Sequence, residues 1–307
     1  MPIDDRITFS IVITTRNRAR QLTTLLAALA ALRFPKDRFE AVIVDDGGDE
    51  SLDGALAAVS GAIQMRMLRR EAGGPARGRN TGARAARGRF LAFIDDDCVP
   101  EPEWLQALAT VHQERIDAMI GGRTLNGLLS NPFSAASQFI TDIVYRHYNR
   151  GAAGPRFFAS NNMAVPRERF LSLGGFDEDF SFACEDRDLC ARWKEAGLPR
   201  IYEPAAVVRH SHDLRFASYC RQHFAYGRGA FHFHRKVKAR GTGRLRDHFG
   251  FHLRLPYWFV IAWRRAPGAA LRLWGLLLVW QVVNAAGYTY ERVRRAWPVA
   301  VTSGVIV

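Results

Sequence analysis

Short apolar runs alternate with leucine- and alanine-rich segments through most of the chain, and each kind carries its own period. Phe9–Thr14, FSIVIT, is β-branched and uncharged and predicts a first strand. In ARQLTTLLAALAAL the leucines fall at 22, 25, 26, 29 and 32, which is helical spacing. FEAVIVDD predicts a second strand ending in Asp45 and Asp46, residues 51–61 a helix, and QMRMLRR a third strand. GPARGRNTGARAARG reads as a loop running into a helix, and RFLAFIDDD as a buried strand over Phe90–Ile94. Further on, EPEWLQALATVHQE predicts a helix, AMIGGRTL a strand, 131–155 a helix and loop, and Gly174–Gly175 a turn. CEDRDLCARWKEAG predicts a helix stopped at Gly197, and PRIYEPAAVVRHSH a short strand ending near His210. Strands alternating with helices imply an α/β fold with a largely parallel sheet, whose ligands bind at the carboxyl ends of strands.

Acidic residues gather where the apolar runs stop. Asp45–Asp46 and Asp95–Asp97 both end strands, and Glu185–Asp186 open a helix. Adjacent carboxylates raise one another's pKa, so three in a row call for compensation. A divalent cation would use several oxygens at once, whereas a turn needs one or two acids. Glu185 and Asp186 also suit a helix N-terminus for its dipole alone. Beside these lie Arg77–Asn80 and the pair His210 and His212, and together the groups could hold a nucleoside diphosphate.

Composition narrows the class. The chain has 307 residues, 48% of them hydrophobic, enough for a large core. Lys and Arg number 43 against 30 Asp and Glu, which implies anionic partners such as nucleotide phosphates, anionic lipid or nucleic acid. Cys98, Cys184, Cys190 and Cys220 form no C-x-x-C pair and suggest a reducing compartment. The opening MPIDDRITFS lacks a secretory pattern, so no leader is expected.

Several motifs in order resemble an inverting family 2 glycosyltransferase of the GT-A fold. They are SIVITTRNR, VIVDDGGDES, GPARGRNTGARAARGRFLAFIDDDCVP, GGFDEDF, EDRDLCARW and VVRHSH, covering roughly residues 7–215. The resemblance implies a GT-A sheet, mixed and mainly parallel, with flanking helices. It implies that Asp46 contacts the nucleoside, with Thr15 and Arg16 lining the same pocket, and that Arg77, Arg79 and Asn80 serve the nucleotide sugar. Asp95, Asp96 and Asp97 resemble the D-x-D motif, with Asp97 the main metal ligand, Asp96 nearer the ribose and Asp95 supporting the site. Asp186 resembles the general base, with Glu185 its neighbour and second choice, and His210, or His212 in its place, a metal-ligating histidine; the implied ion is Mn²⁺ or Mg²⁺. The implied reaction is a single displacement from a nucleotide-sugar donor, a UDP-sugar for preference, onto a hydroxyl acceptor. DDGGDES departs from the family pattern, where serine usually follows the glycine.

From Tyr219 onward aromatic and basic residues interleave, and Tyr226 and Arg228 are candidates to touch pyrophosphate or acceptor. Leu255–Trp263 is too short to span a bilayer, and Leu273–Tyr290 is an uncharged run of 18 residues, against ~20 for a spanning helix. The expected division is a catalytic domain over 1–215 and a basic, membrane-associated helical region over 216–307. The expected location is the cytoplasmic face of the cell membrane, and the acceptor a lipid-linked or growing surface glycan. A nucleotidyltransferase would release pyrophosphate instead. A nucleic-acid-binding protein would explain the charge but not the three acid clusters. An inactive scaffold would not need every expected acid.

Overall fold

The computed structural model describes residues 6–149, 154–181, 183–242, 251–252, 254–265 and 267–296. Parts of the loop expected before 155 and of the basic stretch at 243–250 lie outside them. The chain divides into two compact units, residues 1–181 with 185–214 and residues 182–184 with 215–307.

In the first unit, β1 (Phe9–Thr15), β2 (Phe39–Asp46), β3 (Gln64–Arg70) and β4 (Phe90–Asp95) pair in parallel in the order β3-β2-β1-β4. The sheet continues through β7 (Met163–Pro166), β6 (Met119–Asn126), β8 (Arg200–His210) and β5 (Cys98–Pro100). β7 runs antiparallel to both β4 and β6, β8 parallel to β6, and β5 antiparallel to β8. The sheet is thus mixed and mainly parallel. Side chains alternate across β1: Phe9, Ile11 and Ile13 face one core, Val12 the other. On the first face pack Leu22, Leu25, Leu26 and Leu29 of α1 (Ala19–Ala30) with Trp104, Leu105 and Leu108 of α4 (Trp104–Glu114). On the second pack Ala76 and Ala83 of α3 (Pro75–Ala85), Phe170 of α6 (Arg167–Ser172), and Leu189 and Trp193 of α7 (Glu185–Glu195). α2 (Asp53–Ala57) and α5 (Pro132–Tyr148) complete the unit's helices among the described residues.

Three local expectations change. The helix expected over 51–61 is only Asp53–Ala57, in a segment that carries Gly54 near its start and Gly61 at its end. Arg77–Asn80 lie on α3 rather than in a loop: Gly74 takes φ +87° and Pro75 opens the helix at its first position. The strand to His210 is long, 11 residues, and its register shifts at Gly122/Arg123 opposite the stretch that contains Pro204, which cannot donate to the ladder.

In the second unit α8 (Phe216–Ala239) packs on α10 (Ala270–Ala296), with α9 (Leu255–Arg265) beside α10. A Cβ at Gly227 would fall 2.0 Å from the Asn284 carbonyl oxygen, and one at Gly287 2.1 Å from that of Phe224. Only glycine allows this backbone-to-backbone approach. Glu291, fully buried, binds Arg228 at 2.8 Å and His232 at 3.0 Å, and receives Arg294 and Arg295 as well. Arg228 is therefore engaged within its own unit, and its sequence assignment to pyrophosphate gains no support.

Candidate active site

Parallel register sets the acidic motifs side by side. Thr15 stands opposite Asp45, Thr14 opposite Asp95, and Asp46 opposite Arg70, all at the carboxyl ends of β1 to β4. Beyond Asp95 the chain turns through Asp96 and Asp97 into β5, whose Cys98 pairs with His210 of β8. That pairing brings His210 to Asp97: Nε2 lies 3.1 Å from Oδ1. The contact is an ion pair whenever the imidazole is protonated.

Each carboxylate has its own surroundings. Asp96 accepts from Thr15 Oγ1 at 2.7 Å and Arg18 Nη1 at 2.8 Å. Burial raises its pKa, and Arg18 and Thr15 only partly offset that. Asp97 is also buried, but His210 and Arg18 outweigh burial and hold its carboxyl below the usual range. Burial opposes a proton on His210, yet Asp97 prevails and the pKa rises. His212 stacks on His210 at 4.8 Å, and burial beside that ring lowers its pKa to about 4. Asn161 Nδ2 lies 3.4 Å from His210 Nδ1, where it can orient the ring.

Arg79 joins the second acidic motif to the third. Nearly buried, it donates from Nη2 to Asp95 at 2.7 Å and from Nη1 to Glu185 at 2.8 Å, while its guanidinium lies over the Phe176 ring. Breaking such a buried pair from one side costs about 3–5 kcal/mol, because a carboxylate is left uncompensated. Its neighbour Asn80 is equally committed: Nδ2 donates to the Phe176 carbonyl and Glu178, and Oδ1 accepts from Phe176 N–H. Both residues, expected at the nucleotide sugar, thus have their polar groups occupied in holding the site's frame. Arg77 is exposed and lies 3.3 Å from Glu178.

Asp186 stands at the start of α7, directly after Cys184–Glu185, where Cys184 takes the left-handed φ of +75° that a non-glycine residue rarely adopts. Its carboxylate accepts from Arg187 N–H at 2.7 Å and Ser160 N–H at 3.4 Å. Burial, then repulsion from Glu185, pushes its pKa up to about 7; Arg79 and the two N–H groups limit the rise. A carboxylate poised there can accept a proton near neutral pH.

At the other margin Asp46 accepts from Arg70, Gly73 N–H at 3.1 Å and Gly74 N–H at 2.7 Å. Asp45 accepts from Arg69 and Gly48 N–H, and Asn17, at φ +53°, accepts the N–H groups of Asp49 and Glu50. Arg16 is exposed. Arg18, Asn17 and Arg70 were not singled out from sequence. Arg18 and Asn17 close a motif already noted, SIVITTRNR, but nothing in the periodicity says which groups they meet.

The donors at Asp97 and His210 suit a divalent ion. Two ligands 3.1 Å apart match neighbouring corners of an octahedron with ~2.1 Å bonds. Cys98 Sγ lies within 4.8 Å of both, but it belongs to the first core, and burial with Asp95 and Asp97 nearby keeps the thiol protonated. Four carboxylates, Asp95, Asp96, Asp97 and Glu185, face two guanidiniums, Arg18 and Arg79, an excess that a dication would neutralise.

The glycosyl transferase family 2 signature matches residues 10–172, more than half of the chain. The pre-mycofactocin glycosyltransferase of Mycobacterium tuberculosis (strain CDC 1551 / Oshkosh) is 28% identical over 229 residues, 72% of this chain and 46% of that protein. The chain spans about half the length of the curated relatives it matches. The mannosyltransferase PcManGT from Pyrobaculum calidifontis, solved with GDP-Man and Mn²⁺, superposes with a TM-score of 0.68 at 19% identity, covering 95% of this chain and 88% of that one. S. aureus TarS 1–349, solved with UDP-GlcNAc, gives 0.51 at 18% identity, covering 94% and 92%. The two likenesses show a shared GT-A-like fold.

Proposed function

This chain belongs to glycosyl transferase family 2, and we propose that it moves a sugar, with inversion, from a nucleoside diphosphate donor to an acceptor hydroxyl. The observation that carries the reading is the Arg79 bridge, which ties the D-x-D strand end at Asp95, 16 positions from it, to the Glu185–Asp186 helix start, 106 positions from it at Glu185. Metal-side and base-side carboxylates thereby share one frame. Asp97 and His210 would hold Mn²⁺ or Mg²⁺, with Asp95 and Asp96 behind them. When bound, the ion supplies Lewis-acid stabilisation of the leaving diphosphate. Asp186 accepts the acceptor hydroxyl's proton as that oxygen attacks the anomeric carbon. Asp46, Thr15 and Arg16 border the nucleoside end, and Arg77 is available to phosphate or sugar.

Residues 1–215 act as the catalytic domain and 216–307 as a membrane-associated region at the cytoplasmic face, working on a lipid-linked or growing surface glycan. Supporting this, α10 is 27 residues long, and its most apolar 18-residue window has a mean hydropathy of 1.3 with only 22% of it buried. Leu271, Leu278 and Val282 face outward, and arginines stand near both ends. Flotation with vesicles containing anionic lipid should carry the protein upward. Equal recovery with and without vesicles would remove the membrane assignment.

The donor is tested by thermal shift of the full chain against UDP, GDP, dTDP and CDP, with and without Mn²⁺. One nucleotide should stabilise the protein only when metal is present, and a UDP response would name a UDP-sugar. No response from any of the four would overturn the donor reading.

A further inference from the structure

The arginines around the site differ in what they are tied to. Arg69, Arg70 and Arg79 are each committed to acids of the nucleoside margin or the inner frame. Arg18 instead reaches Asp97, itself assigned to the metal, and its neighbour Asp96. Its Nη1 lies 2.8 Å from Asp96 Oδ1 and 3.1 Å from Asp97 Oδ2, while Asp97 Oδ1 faces His210. The anchors are buried, their side chains only 4% and 8% exposed, yet Arg18 itself is 43% exposed. A single nitrogen makes both contacts, which leaves Nη2 and Nε of the planar fork outside them.

We propose that Arg18 is a binding residue for the donor's diphosphate. This rests on the metal–diphosphate reading above. An ion on Asp97 Oδ1 and His210 would carry phosphate oxygens within a few ångströms of the other oxygen of the same carboxylate. Arg18 is moored there through Nη1, part-exposed, with Nη2 and Nε outside the two contacts. A guanidinium fork suits phosphate oxygens in a way an ammonium does not, and mooring on Asp96 and Asp97 removes much of its rotamer freedom before binding.

The test uses titration calorimetry on the full chain with two probes, Mn²⁺ alone and inorganic pyrophosphate in the presence of Mn²⁺. In Arg18→Met the pyrophosphate affinity should fall at least about 10-fold, the loss of one charge-assisted pair, while Mn²⁺ alone stays within about 3-fold. Arg18→Lys, which keeps the charge and loses the fork, should fall between wild type and Arg18→Met, and carries the test if the methionine variant does not fold. Parallel losses for Mn²⁺ and pyrophosphate would reduce Arg18 to a support for the carboxylates and overturn the proposal, as would no loss with either probe. Failure of the wild-type protein to bind either probe would instead sink the metal–diphosphate reading, and this inference with it.

Discussion

Asp186→Asn should lower turnover by about 10²–10⁴-fold while leaving donor binding near wild type, the size of effect expected when a positioned general base is removed. Asparagine is nearly isosteric, and its single oxygen can keep the 2.7 Å bond from Arg187 N–H at the start of α7, while the long 3.4 Å contact from Ser160 N–H is given up. What disappears is the oxygen pair able to take a proton. The wild-type pKa near 7 gives the pH dependence its sign. Below about 7 the carboxyl is protonated and cannot accept, so the rate should fall as pH drops through that value and level off above it. In the asparagine variant this limb should be missing from whatever activity remains. Near-full turnover with an unchanged pH profile would show that Asp186 is not the base, and Glu185 would be the next residue to replace.

Asp97→Ala should abolish the metal-dependent part of nucleotide binding, with the affinity for Mn²⁺ lowered by at least about 100-fold. Replacing groups merely adjacent to metal ligands already costs 10–100-fold, so a ligand should cost no less. The alanine takes a shared anion from Arg18 and His210, but Arg18 keeps Asp96 and the imidazole can shed its proton, so no charge is left buried alone. The fold should therefore persist, and His210→Ala should show a milder form of the same loss. Calorimetry with Mn²⁺, followed by UDP or GDP, measures both. Wild-type Mn²⁺ affinity in Asp97→Ala would move the metal away from this carboxylate.

Much of the frame was legible because its signals are local. β1, β2 and β4 are mainly apolar runs buried on both faces, broken by Ser10 in β1 and Glu40 in β2, and each ends at a hydroxyl or an acid that cannot continue into the core. The acid clusters themselves were visible for the same reason. β7 has only four residues and β5 three, too few for any period to show, and their pairing depends on strands far away in sequence. Those short strands decide the site: β5 is what sets Asp97 beside His210. Arg79 was legible as a basic residue near phosphate chemistry, but its partners lie 16 and 106 positions away, and only the folded chain selects them. Arg77–Asn80 could have been placed on a helix, since Gly-Pro just before them is an N-terminal signal. Asp186 drew attention as an acid at a helix start, while the raised pKa comes from burial, which pattern reading does not supply.

The crossing of α8 and α10 bears on how this sequence can change over generations. Gly227 and Gly287 sit 60 positions apart, yet each presses on a carbonyl of the opposite helix. A methyl gained at either position is harmless only if the other helix retreats, and retreat would also pull apart the Arg228–Glu291 ion pair. Drift in one segment is thereby chained to drift in the other. Descendants of this protein should keep both glycines together or lose them together, alongside a compensating change at Glu291.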